Sequence, residues 1–349
     1  MIPVNVVTGF LGSGKTTLLR EILRDPAFSD SAVIVNEFGE VGLDHMLLEE
    51  VEEGVLLLES GCICCTVRSD LQDTIRDLHD KAARGAIPPF KRVIVETTGV
   101  ADPAPIVSTI AAEPVIRQHF RIGNVVCTVD GMNGLATLAA HPEPEKQIAV
   151  ADRILVTKAD IAEPAALAAL EARVQALNPV TPLARSTGQG FDADFLFGAD
   201  LGDAARRDDE VNRWLALAEH GHDDHHHHHH DHAHGHGHTS GTTTFVLRFP
   251  ERIDWTAFGV WLTALLHAHG EKILRVKGIL NVLESDTPVV IHGVQHVVHP
   301  PLHLARWPDD DRSSRIVFIA RGVEADLIRR SLSAYLIATS KSARPDPVA

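Results

Sequence analysis

Apolar residues in the first two hundred positions fall in short unbroken runs separated by longer stretches in which they recur every three or four residues. The runs predict strands at Val4–Thr8, Ala32–Asn36, Val55–Leu58, Arg92–Glu96, Asn124–Val129, Arg153–Thr157 and Val180–Leu183. Between them, Lys15–Arg24, Ser69–Ala83 and Ala165–Leu177 carry the spacing of half-buried helices. Continuous rather than alternating apolar strands, with helices between several of them, predict an α/β fold: a mostly parallel sheet covered on both faces. In such sheets ligands bind beyond the carboxyl ends of the strands. The pattern then breaks. Ala, Asp and Gly dominate Gly198–Glu210, and His220–His238 is low-complexity. Order resumes with a strand (Thr243–Phe249), a helix (Trp255–Ala268), strands near Ile273–Glu284, Val289–Val298 and Arg315–Ala320, and a closing helix (Glu324–Ala338). The expected organisation is an α/β domain over 1–205, a histidine-rich disordered linker over 206–241, and a small α+β domain over 242–340.

Composition narrows the classes. At 349 residues the chain exceeds the size at which single cores stop growing, about 250–300 residues. A formal net charge of −15 is the wrong sign for a nucleic-acid partner, which needs clustered Lys and Arg. Apolar runs fall short of the roughly 18 residues that a membrane span requires, so no membrane association is expected. Three of the four cysteines crowd at 62, 64 and 65, which suits a metal better than a disulfide framework and fits a reducing, cytoplasmic setting.

The first strand runs into Gly9-Phe10-Leu11-Gly12-Ser13-Gly14-Lys15-Thr16-Thr17 and then the first helix, the pattern and context of a phosphate-binding loop. Glycines let backbone N–H groups turn inward around phosphate oxygens, aided by the helix N-terminus. Lys15 is placed for the β- and γ-phosphates and the Thr16 hydroxyl for Mg²⁺. Strand 153–157 ends in Thr157-Lys158-Ala159-Asp160, similar to the base-reading N-K-x-D of GTPases. A carboxylate at Asp160 accepts from N1–H and the 2-amino group of guanine, which adenine does not offer; as a purely structural residue it would cap the following helix. Thr157 in place of Asn removes one bridging amide, worth about 1 kcal/mol.

Two further strand ends carry acids. Glu96-Thr97-Thr98-Gly99 offers a carboxylate for Mg²⁺ or its waters and a Gly99 N–H for a γ-phosphate, and Asn36-Glu37-Phe38-Gly39-Glu40 places Glu37 to sense Mg²⁺ or a second metal. Lys15, Glu96 and Glu37 are therefore the expected catalytic set. No hydrolytic glutamine or arginine finger stands out, so unassisted turnover should be slow, about 10⁻⁴–10⁻² s⁻¹.

In Gly61-Cys62-Ile63-Cys64-Cys65, three thiols within four residues can converge on one ion, with Glu37 or a water as fourth ligand. Thiolates favour Zn²⁺, Cu(I) or Co(II) over Mg²⁺. Buried small hydrophobes or a redox-active thiol pair are the competing readings. Cys127 sits mid-strand and reads as core. Twelve histidines lie between His220 and His238. Mostly neutral at pH 7, they are available to capture or buffer divalent metals with little selectivity, unless the segment is merely a flexible tether.

In this order the motifs Thr8–Thr17, VNEFGEVGLD at 35–44, GCICC at 61–65, VETTGVADP at 95–103 and DRILVTKAD at 152–160 resemble the CobW-type GTPases. LRVKGI at 274–279, Gly293–Gln295 and RIVFIAR at 315–321 resemble that family's C-terminal domain. Family members carry Glu at the strand-end acid and often Thr in T-K-x-D, so both departures become expected. The resemblance implies GTP or GDP held with Mg²⁺ by Lys15 and Thr16. It implies a Zn²⁺ or Co²⁺ ion held by Cys62, Cys64 and Cys65, and a client metalloprotein engaged by the GTP-bound form. A passive metal store and a cobalt-insertion factor for cobalamin synthesis remain open, as does assembly as a homodimer.

Overall fold

The computed structural model describes residues 1–35, 56–59, 67–186, 190–198, 207–220 and 241–342. Among them two compact units separate, the first built mainly from the N-terminal half of the chain and the second from Trp214 onward.

The first unit follows the alternation read from the sequence. In chain order it comprises β1 (Ile2–Gly9), α1 (Lys15–Arg24), β2 (Ser31–Val35), β3 (Leu56–Glu59), α2 (Val67–Ala83), β4 (Arg92–Glu96), α3 (Ala104–Ala112), α4 (Pro114–His119), β5 (Phe120–Asp130), α5 (Gly134–Ala140), α6 (Glu143–Val150), β6 (Arg153–Thr157), α7 (Pro164–Leu177) and β7 (Leu183–Arg185). All seven strands pair in parallel in the order β3-β2-β4-β1-β5-β6-β7. The chain runs from β1 out to β2 and β3, returns to insert β4 between β1 and β2, and then crosses to β5 on the other side, so the order reverses at β1. A crevice opens at such a reversal beyond the strand ends. Val7, Val33, Val35, Ile94, Val126 and Leu155 pack against Leu18, Leu19 and Ile22 of α1. That packing anchors the helix that the phosphate loop opens.

One strand lies downstream of its expected place. Val180–Leu183 was the predicted run, yet β7 covers Leu183–Arg185. Val180 and Thr181 are buried, but the Thr181 hydroxyl donates to the Ala151 carbonyl (2.8 Å) and Pro182 has no N–H to give a ladder, so pairing starts at Leu183. The segment expected to be a structureless linker from 206 begins instead with a helix, α8 (Arg207–His220). Val211, Trp214 and Leu215, at the spacing of one helix face, are all buried, and this stripe is what orders it. Residues 221–240, the bulk of the histidine run, lie outside the described residues.

The second unit continues with β8 (Thr242–Phe249), α9 (Trp255–His269), β9 (Ile273–Leu280), β10 (Val289–Val294), β11 (Val297–Val298), β12 (Leu302–His303), β13 (Ser314–Arg321) and α10 (Ala325–Ser342). Its sheet is antiparallel in the order β11-β10-β9-β13-β8, with β12 on the edge of β10. The single strand expected over Val289–Val298 is a hairpin. The chain reverses at Gln295, whose φ of 49° breaks the extended run. Leu247, Val276, Leu280, Ile291 and Phe318 pack on Phe258, Trp261 and Leu262 of α9 and Ile328 and Leu332 of α10.

Candidate functional site

The strand register puts those of the expected site residues that close described strands at one end of the parallel sheet. Gly9 is level with Thr128, Glu96 with Val7 and Val35, and Asp130 with Thr157. From β1 the loop turns through Gly9, Gly12 and Gly14, with φ of 142°, 74° and 94°, so backbone sterics require glycine at these bends. Gly14 is the N-cap of α1 and supplies no side-chain cap, which leaves the first-turn N–H groups for a ligand. Ser13 is buried and its hydroxyl meets that of Thr128 at 2.7 Å, pinning the loop to β5.

Lys15 is buried beneath the loop, where its ammonium donates to the carbonyls of Gly9 (2.8 Å) and Phe10 (3.2 Å). The charge is thus held where the loop curls, within reach of any phosphate the glycines cradle. Thr16 is half-buried in the first turn of α1 and Thr17 is exposed. At the end of β4, Glu96 is buried. Thr97 donates to the Thr8 hydroxyl (3.0 Å) and its N–H to the Val7 carbonyl (2.9 Å). Gly99 lies against the loop: a Cβ built there would sit 2.7 Å from the Leu11 nitrogen and 2.9 Å from its Cα, so no larger residue fits. Thr98 Oγ1 is buried with no hydrogen-bond partner among the described residues, as expected of a polar atom at the edge of a ligand site.

The T-K-A-D segment is tied to the same loop. Thr157 donates to the Ser13 carbonyl (2.8 Å). Lys158, with φ of 55°, reaches back to the Gly12 carbonyl (2.9 Å) and to Asp130 (2.7 Å). Asp160 is exposed beyond them and does not cap α7: that helix starts at Pro164, and the N–H of Ala166 is taken by Glu163 (2.8 Å). Sequence reasoning missed Asp130. Its signal was position alone, an acid closing an apolar strand beside the phosphate loop. Burial raises its carboxyl pKa, but the hydrogen bond from Lys158 and the N–H groups of Met132 and Asn133 outweigh that and hold it below the usual carboxylate range.

Cys127 is buried in β5, and burial pushes its thiol up to about 12, against a smaller opposing pull from Lys15. It is inert core, as its place in the run suggested. Glu37, Cys62, Cys64 and Cys65 lie outside the described residues. Among the described residues, no group of three or more His, Cys, Asp or Glu is placed to hold a metal, and no helix is long and apolar enough to cross a membrane.

A phosphate loop on β1, a strand-end acid on β4 and a T-K-A-D segment locked to the loop define a P-loop nucleotide hydrolase of the GTPase class. Residues 3–185 match the family described as CobW/HypB/UreG, nucleotide-binding domain, and residues 242–336 match the cobalamin synthesis protein cobW C-terminal domain. The chain belongs to the CobW/HypB/UreG family and carries the CobW C-terminal domain. It is 30% identical over 335 residues to the zinc chaperone YjiA of Escherichia coli K12, covering 95% of this chain and 98% of that one. It is 32% identical over 372 residues to the zinc chaperone CobW of Pseudomonas aeruginosa, covering 96% and 92%. The crystal structure of Zn(II)-bound YjiA GTPase superposes with a TM-score of 0.69 at 25% identity, covering 96% of this chain and 98% of that one.

Proposed function

We propose that this chain is a GTP-dependent metallochaperone, which binds a thiophilic divalent metal and hands it to a client metalloprotein under control of GTP hydrolysis. The observation that carries the reading is the lock between the T-K-A-D segment and the phosphate loop, Lys158 to Gly12 and Thr157 to Ser13, in a chain matched over 95% of its length by a protein named a zinc chaperone.

Lys15 exchanges the loop carbonyls it holds for β- and γ-phosphate oxygens when GTP enters. Asp160, exposed past the end of β6, accepts from the guanine edge, while Lys158 keeps that segment registered on the loop. Gly99 offers its N–H to the γ-phosphate, so the 97–101 segment senses whether that group is present. The hydroxyl of Thr16 and the carboxylate of Glu96 are hard oxygen donors that suit Mg²⁺, which when bound would neutralise charge between the β- and γ-phosphates. The transported metal is the cargo. Cys62, Cys64 and Cys65 are its ligands, with Glu37 or a water completing a tetrahedral set, and zinc is preferred to cobalt on the names its relatives carry. Free thiols at this site suit a reducing, cytoplasmic compartment.

The histidine run supports a second role, loose metal capture that loads the cysteine site. As the sole function it would make the chain a metal store, with GTP irrelevant to metal affinity. Competition for zinc against a chromophoric chelator tests the main reading. The triple Cys→Ser variant at 62, 64 and 65 should lose its one tight site and keep GTP binding; retention of tight zinc would refute the cysteine assignment.

A further inference from the structure

Gln147 on α6 lies outside every motif of the sequence, yet it holds the segment that would read the γ-phosphate. Its side chain is 1% exposed. Both N–H bonds of its amide point at one segment: Nε2 donates to the Gly99 carbonyl at 3.1 Å and to the Ala101 carbonyl at 3.1 Å. Its Oε1 is buried with no partner among the described residues. A buried acceptor without a donor costs free energy that an apolar residue of the same shape would avoid. What the glutamine adds in return is the pair of donors.

Those donors act on a turn already closed by the Ala101 N–H on the Thr98 carbonyl, 3.1 Å. Peptide planarity makes each C=O direction fix the N–H that follows it. Tying the Thr98 carbonyl fixes the Gly99 N–H, and tying the Gly99 carbonyl fixes the Val100 N–H. The Gly99 Cα is meanwhile wedged against the Leu11 backbone of the phosphate loop. Phosphate loop, turn and α6 thus meet at one glycine, and Gln147 is the side chain that joins the last two.

We propose that Gln147 is a positioning residue for the GTP-bound state, setting the turn at 98–101 so that its N–H groups face the γ-phosphate. The inference rests on the reading of Gly99 as the γ-phosphate sensor. It implies selectivity: interactions with GDP, which involve the loop and the base-reading segment, should be insensitive to Gln147, whereas those with GTP should not.

The test is Gln147→Met, which keeps the volume and removes both donors. Affinities for GDP and for a non-hydrolysable GTP analogue would be measured by calorimetry, with single-turnover hydrolysis alongside. The expected result is GDP affinity within twofold of wild type, analogue affinity about tenfold weaker and hydrolysis slowed by a similar factor, the worth of one to two hydrogen bonds. Equal weakening of both nucleotides, or of neither, would overturn the proposal; the first would mark a merely structural amide. Should Gln147→Met fail to fold, Gln147→Leu, which is apolar and has no donor, should show the same selective loss, and equal binding of both nucleotides by it would also overturn the proposal. Amide exchange of residues 98–102 in wild type separates the underlying reading. Slower exchange with the analogue than with GDP is expected, and identical exchange would refute Gly99 as the sensor and the role of Gln147 with it.

Discussion

The ammonium of Lys158 lies 2.7 Å from the carboxylate of Asp130 and 2.9 Å from the carbonyl of Gly12, so one side chain ties the T-K-A-D segment to both the end of β5 and the phosphate loop. The pair is only partly shielded, Asp130 far more than Lys158, which places its worth between that of a surface and a buried ion pair.

Asp130→Asn should therefore weaken GDP and GTP alike, by about five- to tenfold, or roughly 1–1.4 kcal/mol. Calorimetry with both nucleotides checks this. The pH dependence follows from the direction of the shift. A carboxyl held below its ordinary value stabilises the fold fully above about pH 4 and loses that contribution as pH falls through the lowered value. Urea denaturation should show wild type more stable than Asp130→Asn at pH 7, with the gap closing toward pH 3.

In the proposed reading Lys15 and Asp160 carry different halves of nucleotide recognition. Lys15→Ala removes the ammonium held under the loop's curl, and tight GTP binding should fall by about a hundredfold or more, the loss of charge-assisted hydrogen bonds to phosphate. Asp160→Asn should leave phosphate affinity in place and erode the preference for GTP over ATP, because the amide presents a donor where guanine also donates. Competition between labelled GTP and unlabelled ATP measures both. Wild type that binds ATP as well as GTP would refute the assignment of Asp160.

Cys127 should not react. With its thiol pushed up to about 12 and the side chain buried, alkylation of the native protein at pH 8 should spare it, while unfolding in urea should expose it to full labelling. Peptide mapping by mass spectrometry distinguishes it from Cys62, Cys64 and Cys65, which should label readily without metal and be protected by zinc.

What could be read in the sequence was local. The phosphate loop and the T-K-A-D segment each fit within nine residues, with their glycines, lysines and flanking strands adjacent in the chain. Parallel strands were legible because burial on both faces makes their apolar runs continuous. Asp130 and Gln147 were not, since their partners lie 28 and about 48 residues away and only the fold brings them together. β7 was displaced because Val180 and Thr181 are apolar or half-apolar for the sake of a buried turn rather than a ladder. α8 was hidden by an Ala- and Asp-rich composition, although Val211, Trp214 and Leu215 kept helical spacing.

Deleting residues 221–238 should lower the number of zinc ions bound per chain and leave one tight site. Equilibrium dialysis followed by metal analysis gives both stoichiometry and affinity. Loss of the tight site with all three clustered cysteines intact would move the cargo site into the histidine run.

Coupling between nucleotide and cargo is the centre of the account, and calorimetric titration of Zn²⁺ into the nucleotide-free, GDP-bound and GTP-analogue-bound protein measures it directly. Metal and GTP analogue should each tighten the other's binding by the same factor, as linkage requires, on the scale of about 5–150-fold. Equal zinc affinity in all three states would contradict it, leaving a GTPase that carries a metal without controlling it.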